Sequence, residues 1–316
     1  MIDTLETADR PPFTVHGYFL ETAFERRFQG ILHHAWRERS WHVIAAVPGS
    51  GKSLGIQDMV LQSVSAYKEL QGATHLPILA VRAPKNGGKE LSLGMAFCTA
   101  FGVVPSMAWY VRRAWLVQAL ADAHVECLII DDAQDLNLAH LAYLKELTDN
   151  LAAPPYLQQV GLCLVTAHTG NVIPLKEIFS QPDTLWRQFR RRLDTERPFC
   201  VVAGHTLEEV CDILATFEAI YRSQLPHLQL ERWAKTIFTW LTHPALDPES
   251  AGRVTMDHLT RLVTRSLRCA YEQQATDVDR TILEATADLM ILRRDEIVSI
   301  EGCPSEPVME VTEVGS

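Results

Sequence analysis

Five short apolar runs punctuate the N-terminal part of the chain: His42–Val47, Pro77–Val81, Val125–Ile130, Val160–Val165 and Phe199–Val202. Each is nearly continuous in apolar residues rather than alternating, the pattern of a strand buried on both faces. Helix-compatible stretches separate them, the clearest being Leu54–Leu70. Strands alternating with helices predict a parallel α/β sheet of five strands, with helices on both faces. Ligands of such sheets bind at the carboxyl ends of the strands. After Gly204 the pattern changes, and no further strand is expected. Thr206-Leu-Glu-Glu209 is a capping box that opens a helix. Leu228–Thr242 is amphipathic, and Thr255–Gln273 carries Leu259, Leu262, Val263 and Leu267 near helical spacing. Thr276-Asp-Val-Asp279 starts a last helix running to about Leu289. The predicted organisation is an N-terminal extension (1–20), an α/β core (21–204), an all-helical lid (205–295) and a tail (296–316).

Composition narrows the class without changing this picture. The 316 residues are 47% hydrophobic and 22% charged, ordinary for a soluble globular chain. No apolar stretch is long enough for a membrane span, and Met1–Pro12 is polar and acidic, unlike a signal peptide. The seven cysteines form no C-x-x-C pair, and Cys127 and Cys163 sit within strand-like runs. Buried thiols in a reducing cytoplasm are expected. The net charge of −10 argues against a chain coated in positive charge, though not against a local basic surface. Glu301, Glu306, Glu310 and Glu313 lie in a tail with no Lys or Arg after Arg294, a composition that predicts disorder.

Chemistry concentrates at the end of the first strand. Residues 46–53 read Ala-Val-Pro-Gly-Ser-Gly-Lys-Ser, between a strand and a helix. This is the phosphate-binding loop of an NTPase. Pro48, Gly49, Ser50, Gly51, Lys52, Ser53 and Leu54 are the expected nucleotide contacts, with ATP and Mg²⁺ as the bound species. Backbone N–H groups and the helix N-terminus favour the phosphates, Lys52 neutralises their charge, and the Ser53 hydroxyl ligates Mg²⁺. The usual first glycine of the motif is Ala46, a sterically mild departure.

Leu128-Ile129-Ile130-Asp131-Asp132 is an apolar strand ending in two carboxylates, the arrangement of a Walker B strand. Asp131 is the expected metal ligand. Asp132 holds the position that polarises the attacking water, where glutamate is usual. Aspartate is one methylene shorter, and a misplacement of about 1 Å costs around 10²-fold in rate. Slow hydrolysis is therefore expected. Thr166 and His168, at the end of the fourth strand, are both candidates for orienting the water. Arg187 and Arg190, in Trp186-Arg-Gln-Phe-Arg190-Arg-Arg192, are candidates for a finger reaching a neighbouring subunit's γ-phosphate.

With these motifs in order, residues 20–290 resemble an AAA+ ATPase. More narrowly, the chain resembles the transposition regulators TnsC, TniB and MuB. The narrower likeness rests on Val81-Arg82-Ala83-Pro84-Lys85-Asn86-Gly87-Gly88-Lys89-Glu90-Leu91 after the second strand. It rests also on the compact length, on Ser250-Ala-Gly252-Arg253-Val and on Leu259-Thr-Arg261-Leu262. Asp132 and Gln188, where such chains often carry arginine, depart from the pattern. The resemblance implies ATP-bound homo-oligomers, a hexamer-like ring or a helical filament, around double-stranded DNA. The implied partners are a transposase and a target-selection protein, in a nucleoid-associated bacterial setting. Lys85 and Lys89 would contact phosphates, helped by Arg112 and Arg113, and Gly87-Gly88 would admit backbone donors. Arg261, or less readily Arg253, would sense the γ-phosphate from the lid. The competing expectation is an AAA+ or signalling NTPase that acts on a protein partner, of secretion or defence type, without DNA.

Overall fold

The computed structural model describes residues 20–71, 75–85, 89–102, 108–168, 173–180, 184–244, 246–247 and 251–288, with the backbone alone at 66–71, 174, 184 and 185. The five expected strands form: β1 (Trp41–Ala46), β2 (Ile78–Arg82), β3 (Cys127–Asp131), β4 (Gly161–Ala167) and β5 (Phe199–Val202). Their ends differ from the apolar runs by a residue or two. All pairings are parallel, in the order β2-β3-β4-β1-β5. β4 therefore lies between the strand that ends in Asp131 and the strand that feeds the phosphate loop.

The strands are continuously apolar because both faces are covered. Val43, Leu128, Ile130, Leu162 and Leu164 point to one side. There they meet Phe97 of α3 (Glu90–Ala100), Leu116 of α4 (Trp109–Asp122), Leu144 of α5 (Leu138–Ala152), Phe179 of α6 (Pro174–Ser180) and Phe189 of α7 (Thr184–Arg190). Ile44, Ala46, Ile129, Cys163 and Val165 point to the other side. These pack on α1 (Ala23–Glu38) and α2 (Lys52–Gln71). In α1, Phe24, Phe28, Leu32 and Ala35 recur at helical spacing and are fully buried, a single apolar stripe laid on the sheet. Burying each phenylalanine contributes about 1.5–3 kcal/mol. Thr22 caps α1 by accepting from the Glu25 N–H at 3.2 Å.

After β5 the described chain is helical: α8 (Leu207–Tyr221), α9 (Ala234–Leu241), α10 (Met256–Glu272) and α11 (Arg280–Asp288). Their apolar faces form a separate cluster that includes Phe217, Ile237, Leu262 and Leu283. The capping box is present, with Thr206 Oγ1 accepting from Glu209 N–H and Glu209 Oε2 accepting from Thr206 N–H, both at 3.1 Å. Two expectations need adjusting. Leu228–Thr242 divides into a 3₁₀ turn at Glu231–Trp233 and the short α9. The last helix begins at Arg280, because the Asp279 carboxylate caps it from outside by accepting from Ile282 N–H at 2.8 Å. His205 and Val254 exchange two backbone hydrogen bonds, at 2.8 and 3.0 Å, and so clip the helical segment to the end of the sheet region.

Among the described residues no helix is long and apolar enough to cross a membrane. The described cysteines are free thiols, with Cys98, Cys127, Cys163 and Cys200 buried. The expected tail at 296–316, residues 1–19, Asn86-Gly87-Gly88 and Ser250 lie outside the described residues.

Candidate functional site: a phosphate loop facing two carboxylates

The loop leaving β1 bends through two left-handed glycines, Gly49 (φ +73°) and Gly51 (φ +102°). At Gly51 the backbone conformation calls for glycine, and any larger residue would also have to displace the end of the Glu25 side chain. The backbone is one that L side chains rarely adopt, and a Cβ would lie 2.6 Å from Glu25 Oε1. Lys52 opens α2 and folds back over the loop, donating to the carbonyls of Ala46 (3.4 Å) and Val47 (3.2 Å). Its ammonium is buried. Burial lowers its pKa, against the raising effect of Asp131 and Asp132. Ser50 Oγ is buried without a hydrogen-bond partner. Pro48, Ser53 and Leu54 are exposed.

The Ser53 hydroxyl donates to Asp131 Oδ2 at 2.6 Å. The two expected metal ligands, far apart in sequence, thus meet across the strand ends. A hydroxyl and a carboxylate oxygen are hard donors suited to Mg²⁺. Together with a buried ammonium and an unpartnered buried hydroxyl, they fit a magnesium–nucleotide phosphate.

Asp132 adopts a left-handed conformation (φ +53°), which aspartate tolerates better than most residues. Arg82, the last residue of β2, grips its carboxylate: Nε donates to Oδ2 at 2.6 Å and Nη2 lies 2.5 Å from the same oxygen. Gln134 donates to Oδ1 at 3.2 Å, and its own Oε1 accepts from the Ala167 N–H at 2.9 Å. Burial pushes the Asp132 carboxyl up. The bonds from Gln134 and Arg82 and the charges of Arg82 and Lys52 outweigh this and hold it below its ordinary value. Asp132 is therefore an anion tied to an arginine. Arg82 and Gln134 were not singled out by the sequence. Arg82 was visible in the run after the second strand, but its partner depends on the Arg82–Asp131 register of β2 with β3.

At the end of β4, Thr166 Oγ1 is buried without a hydrogen-bond partner, and His168 is buried beside it, its N–H bonded to Ala46 O at 3.3 Å. Both lie at the strand end between the two Walker strands. Arg187 and Arg190 are exposed on α7, whose Trp186 and Phe189 point inward. Arg192 instead turns in, pairing with Asp149 and lying 5.2 Å over the Trp41 ring.

The helical segment reaches the site directly. Asp257, in the first turn of α10, donates its N–H to Gly49 O at 2.9 Å. Its carboxylate holds Arg261 Nε at 2.9 Å. The candidate lid arginine is thus one helical turn from the phosphate loop, on a helix docked on that loop. Asp257 too escaped the sequence reading.

The candidate DNA residues divide. Lys85 and Lys89 are exposed, and Lys85 lines an open cleft of about 440 Å³ with Arg82, Asp132, Gln134 and Asp135. The far end of their loop is anchored: the Lys89 carbonyl accepts from His140 Nε2 (3.1 Å) and from Ser92 Oγ (2.8 Å). Arg113 is occupied within the chain, paired with Glu146 and stacked 5.6 Å from the Tyr143 ring centroid and 5.9 Å from that of Trp109. Arg112 is half-buried against Met95. Neither reaches an outside phosphate without giving up these contacts.

Glu25 packs behind the loop, 5% exposed, with Oε2 unpartnered. Burial, then the nearby Asp58 charge, raises its pKa from 4.5 to about 8. The folded state holds this proton while the unfolded chain releases it, so stability falls as pH rises from 4.5 towards 8. The upper limit of the slope is about 1.4 kcal/mol per pH unit. Denaturant titrations at pH 5, 6.5 and 8 should show Glu25→Gln losing less stability over this range than wild type. Parallel pH profiles would contradict a buried, protonated Glu25.

A family profile described as "AAA domain" matches residues 37–168, the span from the first strand through both Walker strands to His168. No curated protein matches the chain in sequence. Among solved structures, the chain is similar to the Aeropyrum pernix ORC2 protein in its ADPNP–ADP complexes, at 12% identity and a TM-score of 0.65, covering 94% of this chain and 75% of that one. It is also similar to Drosophila ORC bound to DNA, at 13% identity and a TM-score of 0.56, covering 94% and 66%. The Aeropyrum pernix ORC1 protein in complex with DNA gives 16% identity and a TM-score of 0.53, covering 86% and 66%. Identities this low speak for the fold alone. Residues 37–168 are thus similar to an AAA domain, and the chain has a P-loop AAA+ fold of five parallel strands followed by helices.

Proposed function

We propose that this chain binds and slowly hydrolyses ATP with Mg²⁺, and that its ATP-bound form assembles on duplex DNA. More narrowly, we read it as a regulator of transposition of the TnsC/TniB/MuB kind, whose DNA-bound oligomer recruits or activates a transposase. The observation that carries the reading is the adjacency of two features. Ser53, Asp131 and Lys52 gather at the strand ends, and the exposed Lys85, just beyond the end of β2, shares a cleft with Asp132. Two structural neighbours with this fold are DNA complexes, which is consistent with the reading.

In this account the loop backbone, Lys52 and the helix dipole hold the phosphates. Ser53 and Asp131 hold Mg²⁺, which neutralises developing phosphate charge when bound. Asp132 takes the proton of the attacking water once Arg82 lets go, and Thr166 or His168 orients that water. Arg187 or Arg190 completes a neighbour's site, and Arg261, released from Asp257, senses the γ-phosphate. The C-terminal helices α8 to α11 act as the lid.

Lys85 and Lys89 supply sequence-tolerant phosphate contacts, repeated in every subunit of an oligomer. Each neutralised phosphate adds about −0.9 to the slope of log K against log salt. Lys85→Ala/Lys89→Ala should flatten that slope and weaken binding to all duplexes alike, leaving ATP binding unchanged. Fluorescence anisotropy over a salt series checks this. Wild-type slope and affinity in the double variant would remove the loop from the DNA interface.

A further inference from the structure

We propose a transition-metal site, of zinc-binding chemistry, formed by His34, His42 and Asp194 at the opposite end of β1 from the phosphate loop. The ligands come from three elements: the last half of α1, the second residue of β1, and the segment between α7 and β5. One donor atom from each lies within 4.8 Å of the others, the group of this kind found among the described residues. His34 Nε2 is 3.7 Å from Asp194 Oδ2, and the two imidazole centroids are 5.5 Å apart with planes at 67°. Tetrahedral ligands at about 2.1 Å from zinc stand roughly 3.4 Å from one another. The exposed His34 ring needs to shift only a few tenths of an ångström towards Asp194, and closing the remaining spacing, which stays within 4.8 Å, takes a small movement of the partly buried Asp194 towards His42.

The surroundings are those of an outer shell that orients ligands. Asp194 Oδ1 accepts from the N–H groups of Glu196 (2.9 Å) and Arg197 (2.7 Å), which fixes the carboxylate and leaves Oδ2 facing His34. His42 Nδ1 donates to the Arg197 carbonyl at 3.0 Å. That bond selects the tautomer with a lone pair on Nε2, the second-shell arrangement common to metal-bound imidazoles. The backbone of one residue, Arg197, thus orients two of the three ligands. Nε2 of His42 accepts from the Ser40 hydroxyl at 2.7 Å, a rotor that swings away when a metal takes the lone pair. Asp194 is held in place beside β1, its N–H donating to the Trp41 carbonyl at 2.8 Å. Two imidazoles and one carboxylate suit Zn²⁺ and its Co²⁺ surrogate better than Mg²⁺. His34, 52% exposed at its side chain, provides the way in and leaves the fourth position to water. The bound ion would staple α1 to the segment that follows Arg187 and Arg190.

The test uses the full chain, stripped with a chelator and titrated with Co²⁺. One equivalent should produce visible d–d absorption that Zn²⁺ abolishes by displacement. Zn²⁺ at about 100 times its Kd should raise the Tm by about 5 °C, and Mg²⁺ should not. Because His42→Ala removes a buried side chain, the variants are the exposed His34→Ala and Asp194→Asn, each checked for wild-type Tm without metal. Both should weaken Co²⁺ binding by at least about tenfold. Absence of a Co²⁺ spectrum, a spectrum dominated by thiolate-to-cobalt charge transfer, or wild-type affinity in His34→Ala would overturn the site. None of these readouts depends on nucleotide or DNA, so their failure leaves the proposed function untouched.

Discussion

Lys52→Ala is expected to weaken ATP binding by about a hundredfold or more while leaving the fold intact. Removing one partner of a buried charge pair costs about 2–5 kcal/mol, and 2.7 kcal/mol is already a hundredfold. The same substitution removes little from the nucleotide-free protein. There the ammonium holds only two long bonds, 3.4 and 3.2 Å, to the Ala46 and Val47 carbonyls. Its burial among loop atoms, with Asp131 and Asp132 as counter-charges, suits it to neutralise phosphate charge. Calorimetric titration with ATP and Mg²⁺ decides the point. Unchanged affinity would mean that the loop is a phosphate-binding shape without the function.

The second large effect is expected at Asp132 and Arg82, and the two should move in opposite directions. Asp132→Asn should lower turnover by about 10²-fold, within the range for a lost general base, and leave ATP binding intact. Asp132→Glu should preserve or raise it. Arg82→Ala should raise the DNA-free rate, because the carboxylate it frees is otherwise held by two contacts of 2.6 and 2.5 Å. Arg82 is mostly exposed, so the pair contributes about 1 kcal/mol or less to stability and is open to competition. Steady-state phosphate release measures all three variants. Should Arg82→Ala fall as far as Asp132→Asn, Arg82 would belong to the catalytic apparatus and the clamp reading would be wrong.

Much of this was legible before the structure because it is encoded locally. The strands announce themselves through continuous apolar runs, since both sheet faces are covered. The phosphate loop, the Walker B carboxylates and the Thr206 capping box are contiguous motifs. What escaped is set by placement in space. The partnership of Arg82 with Asp132 follows from strand register, and Gln134 matters because β4 inserts between β3 and β1. Asp257 reaches Gly49 only through the docking of α10, and Glu25 meets Gly51 only through the packing of α1 on α2. Arginines show the limit most plainly. Arg187 and Arg190 remain exposed, whereas Arg192, two residues on, turns inward onto Trp41 and Asp149. Arg113 does the same with Tyr143 and Glu146, because a guanidinium finds aromatic and carboxylate partners within its own subunit as readily as outside it. A count of basic residues therefore overstates the positive charge left open to an outside anion.

In the proposed function, nucleotide state controls assembly on duplex DNA. Analytical sedimentation of the wild-type chain with a random-sequence duplex tests it most directly, with a non-hydrolysable ATP analogue and Mg²⁺, with ADP, and without nucleotide, at about 50 mM salt. Large protein–DNA complexes are expected with the analogue, little or none with ADP or without nucleotide, and none for Lys52→Ala under any condition. Absence of DNA binding with the analogue at that low salt would contradict the proposed function and favour an NTPase that acts on a protein partner.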